Sequence, residues 1–71
     1  MHKYSVELSG HRTSISLEEE FWLELKAIAK RKNTTTRQLL MQIDDSHRGN
    51  LSSAIRLFIL HEGQIQQKHN P

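Results

Sequence analysis

The chain has 71 residues, a length that allows at most one domain and buries only about 60% of the extended surface. It contains no cysteine, so neither a disulfide nor a thiolate metal site can reinforce a small core, and oligomerisation is the remaining common remedy. The formal net charge of +2 is too small to establish nucleic-acid binding by itself, and no apolar run approaches the roughly 18 residues of a membrane span.

Residues 3–9 alternate weakly, with Tyr4, Val6 and Leu8 against Ser5, Glu7 and Ser9. That pattern allows an N-terminal arm or an extra strand. Gly10 then permits a bend or a bulge. From 11 to 17 the alternation is clear: Thr13, Ile15 and Leu17 point one way, Arg12, Ser14 and Ser16 the other. One face suits a core, and the other is short, polar and carries one cation. A lone strand cannot satisfy its own backbone groups, and nothing after it reads as an in-chain partner. The expected partner is the same strand of a second copy. A two-stranded ribbon with a small polar outer face fits the major groove of DNA.

The first helix is expected over 18–32. Ser16-x-x-Glu19 has the form of a capping box, and Glu18, Glu19 and Glu20 sit at the positive end of the helix dipole. Phe21, Leu25, Ile28 and Ala29 form an apolar stripe that Trp22 widens. Lys30, Arg31 and Lys32 fall in the last turn, where cations are favoured, and Asn33 suits a left-handed residue ending the helix. The second helix is expected over 36–45, capped by Thr35 in a second box, Thr35-x-x-Gln38, with Leu39, Leu40 and Ile43 facing inward. The polar stretch from Asp44 to Asn50 reads as a connection. Asn50 can cap a third helix over 51–62, with a stripe of Leu51, Ala54, Ile55 and Phe58 broadened by Leu57, Ile59 and Leu60. Such a helix packs against more than one neighbour or against another subunit. Residues 63–71 are polar and are expected to fray, which leaves a single domain over 1–71.

The five histidines form no i, i+4 pair, so no metal site is expected, and no cofactor is implied. No spacing supplies a nucleophile with a base, so an enzyme is not expected. Phe21, Trp22, Leu25 and Phe58 read as core rather than as a ligand pocket. Asn33-Thr34-Thr35 and Asn50-Leu51-Ser52 match the glycosylation pattern. Met1–Gly10 lacks the apolar stretch of a secretory signal, so both matches are taken as chance and the expected location is the cytoplasm.

Strand, helix, tight turn and helix in this order resemble the ribbon-helix-helix repressors of the Arc and MetJ type. More narrowly, His11–Trp22 together with Asn50–Leu60 resembles short bacterial ribbon-helix-helix proteins with a third C-terminal helix, over roughly residues 10–60. The resemblance implies a mainly α chain with one short strand, forming an intertwined homodimer with an intermolecular antiparallel ribbon. It implies a sequence-specific DNA-binding transcriptional regulator, a repressor, that binds tandem sites cooperatively. Arg12, Ser14 and Ser16 match the positions that read base edges, and Thr35, Thr36 and Arg37 match the helix N-terminus that holds a phosphate. Lys3 and His11 are additional candidate DNA contacts. Where the family often has glycine between its first two helices, this chain has Asn33-Thr34. The alternative is a protein–protein adaptor or antitoxin that masks a partner protein.

Overall fold

In the computed structural model, which describes residues 1–46 and 49–67 and side chains through Gly63, two strands are followed by three helices. β1 (His2–Leu8) pairs antiparallel with β2 (His11–Leu17) in a hairpin of the same chain. The expectation of one strand per chain is therefore corrected: β2 has an in-chain partner, and it precedes β2 rather than following it. The reason lies in the turn. Leu8 pairs with His11, which leaves Ser9 and Gly10 as a two-residue loop, and both have positive φ, 53° and 80°. Left-handed geometry at both positions is what a tight hairpin turn matched to strand twist demands. Gly10 adopts it without steric cost. The weak alternation of residues 3–9 becomes a real one, with Tyr4, Val6 and Leu8 turned inward.

β1 is also held from behind. The Tyr4 ring stacks on Trp22 of α1 (Glu19–Arg31), with centroids 4.2 Å apart and planes 10° from parallel. Burial pushes the Tyr4 phenol above its ordinary pKa, and the nearby Glu19 carboxylate adds to that.

α1 buries Leu25, Ile28 and Ala29, with Phe21 and Trp22 half-buried. Its N-cap is Glu18, which makes no side-chain cap bond, so the capping box expected at Ser16 and Glu19 is corrected. Ser16 cannot serve because it is still in β2, opposite Lys3. The helix end is as the sequence implies. Asn33 has φ 58°, the Thr34 amide donates to Ala29 O at 2.9 Å, and the Asn33 amide donates to Lys30 O at 3.1 Å. This pair of bonds satisfies carbonyls that the ending helix would otherwise leave open.

α2 (Thr36–Ser46) buries Leu39, Leu40 and Ile43 and packs against β1, α1 and α3. α3 (Leu51–Gln67) starts from Asn50, whose Oδ1 accepts from the Ser53 amide at 3.1 Å. It runs five residues beyond the expected end at 62, so 63–67 are helical rather than frayed. Glu62 and the glutamines around Gly63 are good helix formers, which offsets the roughly 1 kcal/mol cost of an internal glycine. Residues 68–71, also assigned to the tail, lie outside the described residues, as do residues 47 and 48 of the expected connection.

The inward residues of all five elements meet in one core: Leu8, Ile15, Leu17, Leu25, Ile28, Ala29, Leu39, Leu40, Ile43, Ile55 and Ile59. No polar side chain is buried among the described residues. Two ion pairs fix α3 along α1, Arg56–Glu18 at 2.9 Å and Lys32–Glu62 at 3.4 Å. The hydrogen bond from Arg56 holds the Glu18 carboxyl below its ordinary pKa, helped by a backbone hydrogen bond. The buried stripe of α3 is Ile55 and Ile59. Leu51, Ala54 and Phe58 are only half-buried, and Leu57 and Leu60 stay 56% and 55% exposed.

Candidate nucleic-acid interface

Residues directly opposite in an antiparallel pair share a face of the sheet. The pairing Lys3–Ser16, Ser5–Ser14 and Glu7–Arg12 therefore builds one polar face from both strands. Lys3, Ser5, Glu7, Arg12 and Ser14 are exposed, and Ser16 is half-buried. The three proposed base-reading residues thus stand in a row on β2, with Lys3 at one end of the parallel row on β1. His11 belongs to the other parity, with Thr13 and Ile15. It is exposed at the hairpin turn and lines a cleft with Leu8, Ser9, Asp44 and Leu51. Ser5 and Glu7 were missed as members of this face. Their signal was the same alternation that marks Tyr4, Val6 and Leu8, but without the pairing partner nothing linked the face of β1 to that of β2.

The outer edge of β2 carries a second feature. Alternate residues of a ladder turn their N–H and C=O groups to opposite edges. The Ser16 carbonyl accepts from Ser52 Oγ of α3 at 2.7 Å, which identifies Arg12, Ser14 and Ser16 as the residues facing the outer edge. A polar cleft lies along that edge, lined by Ser14, Ser16, Gly49, Asn50 and Ser52. Among the described residues no backbone bond to another element engages Arg12 or Ser14 there. An unpaired strand edge is a template for another strand.

The third group lies at the start of α2. Thr35 Oγ1 accepts from the Gln38 amide at 3.1 Å, the capping bond that the sequence implies. The reciprocal half of the expected box is corrected: Gln38 Oε1 accepts from Thr34 Oγ1 at 2.7 Å, and among the described residues no bond from the Thr35 amide to the Gln38 side chain is formed. The Thr35 carbonyl accepts from the Leu39 amide, so the helix ladder begins there. After the cap, the amides of Thr36 and Arg37 remain unpartnered among the described residues. Thr35 and Arg37 are exposed and Thr36 is half-buried. Free amides at the positive end of a helix dipole, with a guanidinium beside them, suit an oxyanion. Within one chain no hydrogen bond or ion pair among the described residues connects this group to the hairpin face. The part of α2 that borders the hairpin turn is its far end, at Asp44.

The described residues contain no cluster of three or more His, Asp or Glu that could hold a metal ion, and no helix long and apolar enough to cross a membrane.

A family model described as the ribbon-helix-helix domain matches residues 1–62. The chain belongs to the ribbon-helix-helix family. Ribbon-helix-helix domains are generally DNA-binding transcription regulators and typically form dimers. The matched span takes in β1 as well as β2, α1 and α2 and ends inside α3, so the hairpin and most of the third helix are part of this ribbon-helix-helix domain. No curated protein and no solved structure matched the chain.

Proposed function

We propose that this protein is a homodimeric, sequence-specific DNA-binding repressor of transcription, and not an enzyme. The observation that carries the reading is the polar face on which Arg12, Ser14 and Ser16 stand in a row along the edge of β2, where Arg12 and Ser14 make no backbone bond to another element among the described residues and only the Ser16 carbonyl is engaged, by Ser52. A second copy pairs at that edge and places two β2 strands side by side at the centre of a four-stranded sheet. Strands lie about 4.8 Å apart and the major groove is about 12 Å wide, so the central pair fits while each β1 lies about 7 Å from the centre line, at the groove wall. Arg12 can then bond guanine through two donors, and the serines can bond either kind of base. Lys3, on the outer strand, meets phosphate. Thr35, Thr36 and Arg37 of both protomers hold further phosphates and set the register of the dimer on the duplex. Dimers bind adjacent sites cooperatively, in the cytoplasm of a bacterial cell.

This division of labour is tested by measuring anisotropy of labelled duplexes against salt. Arg12→Ala is expected to lower affinity for a preferred sequence with little effect on random DNA. Arg37→Ala is expected to weaken both alike and to flatten the salt dependence by about two log units per log unit of salt, one phosphate per protomer at about 0.9 each. Equal effects of both substitutions on both duplexes refute it.

The exposed Leu57 and Leu60 favour a second reading, an adaptor or antitoxin that masks a partner protein. They border a groove of ≈ 400 Å³ with Phe21, Ile59 and Gly63. A defined partner that is lost on Leu57→Ser and Leu60→Ser while duplex binding persists supports that reading.

A further inference from the structure

We propose that Glu7 is a positioning residue for Arg12, holding its guanidinium toward base edges and away from the phosphate wall; the inference rests on the DNA-reading function proposed above. Glu7 and Arg12 are Cα partners in the hairpin, share its outer face and are both exposed. Residues directly opposite in an antiparallel pair lie about 5 Å apart between Cα atoms, within easy reach of a carboxylate and a guanidinium. Among the described residues of the single chain neither forms an ion pair within 4.0 Å, so it is their register, not an existing contact, that sets them side by side.

A carboxylate on a DNA-facing surface is repelled by every phosphate, so by bulk electrostatics Glu7 is misplaced. Its register gives it a use. Arginine presents five N–H donors in a planar fork, and a guanine takes only two of them. A carboxylate beside the fork can accept from the remaining donors while the outer edge of the fork stays free for the base. Glu7 is on β1, the strand that the four-stranded arrangement places between Arg12 and the groove wall. There it occupies the side from which a phosphate would otherwise attract Arg12, whose long side chain is free to swing. Specificity is a difference of affinities, and a charge that penalises the wrong contact raises it as effectively as a new favourable one. Two of the three reading residues of β2 are serines, so most of the discrimination this face can deliver passes through Arg12.

The test uses the full chain as its natural dimer. Duplexes are first selected from a randomised pool by the wild type. Affinities for the recovered motif and for random duplex are then measured for wild type, Glu7→Gln, Glu7→Ala, Arg12→Ala and the Glu7→Ala/Arg12→Ala double variant. Glu7 is exposed on a strand, and retained circular dichroism shows that each variant is folded. The proposal expects both Glu7 variants to bind random duplex several-fold more tightly, and the ratio of motif to random affinity to fall about ten-fold. It expects selection with Glu7→Gln to lose the guanine preference of one position per half-site. It also expects Glu7→Ala to leave that ratio unchanged once Arg12 is already alanine. An unchanged ratio and motif, or the same loss with and without Arg12, overturns this role for Glu7 and leaves the DNA-reading function standing. No enrichment by the wild type overturns both.

Discussion

Replacing Tyr4 with alanine tests whether β1 is an integral strand or a loose arm. Tyr4 is half-buried, and its ring stacks on Trp22 at 4.2 Å. Truncating a fully buried aromatic residue to alanine costs about 3–5 kcal/mol, so a half-buried one should cost about 2. Within that, the stack itself should contribute about 1 kcal/mol as a pairwise coupling. A protein of this size has a urea slope of about 1 kcal/mol per molar, so the midpoint should fall by about 2 M. The assay is urea unfolding followed by far-ultraviolet circular dichroism, because Trp22 is itself one of the positions changed. All variants are compared at one protomer concentration, since the proposed dimerisation would be linked to stability. The double-variant cycle of Tyr4→Ala and Trp22→Ala isolates the coupling. A midpoint shift below about 0.3 M, or a coupling indistinguishable from zero, refutes the argument that the stack holds β1 on α1.

Other substitutions follow from the core, the caps and the ion pairs. Leu25→Ala, at a fully buried position of α1, should cost about 3 kcal/mol in the same assay, whereas Leu57→Ala, 56% exposed on α3, should cost under about 0.5 in the isolated protein. Asn50→Ala removes the acceptor for the Ser53 amide and should lower stability by about 1 kcal/mol, with Asn50→Asp restoring most of it. Glu18 has a folded-state pKa held below 4.5 by its hydrogen bond from Arg56, so its contribution is present above pH 4.5 and is lost as the pH falls through the folded value. Acid titration of stability should accordingly be flatter in Glu18→Gln than in the wild type. The difference should be small, because this pair is about one-third exposed.

The helices were legible because each carries its own punctuation. Thr35 and Asn50 cap as their types imply, and Asn33 takes the left-handed position. Leu25, Ile28, Leu39, Leu40 and Ile43 are buried at the spacing the stripes require. Ser16 misled because two demands met on one residue. Its hydroxyl has the spacing of a cap, but the strand runs through it and α1 begins from Glu18. The hairpin was hidden for a different reason. Ser-Gly is a weak turn signal beside Asn-Gly or Asp-Gly, and β1 alternates too faintly to claim a partner until Tyr4 finds Trp22. The polar face proposed as the site was half legible. Arg12, Ser14 and Ser16 stood out by alternation within one strand, whereas Ser5 and Glu7 join the face only through pairing register, a property that no single segment encodes. Likewise, periodicity alone could not distinguish the exposed Leu57 and Leu60 from the buried Ile55 and Ile59 on a helix apolar on several sides.

The central claim is that the polar face of β2 reads DNA sequence. The most direct measurement is selection of duplexes from a randomised pool by the wild-type protein, with Arg12→Ala and Ser14→Ala run in parallel. The account predicts a short, roughly two-fold-symmetric motif for the wild type, with a guanine preference lost in Arg12→Ala and weakened selectivity near the motif centre in Ser14→Ala. A motif that both variants recover unchanged, or a pool that the wild type leaves unenriched, contradicts it.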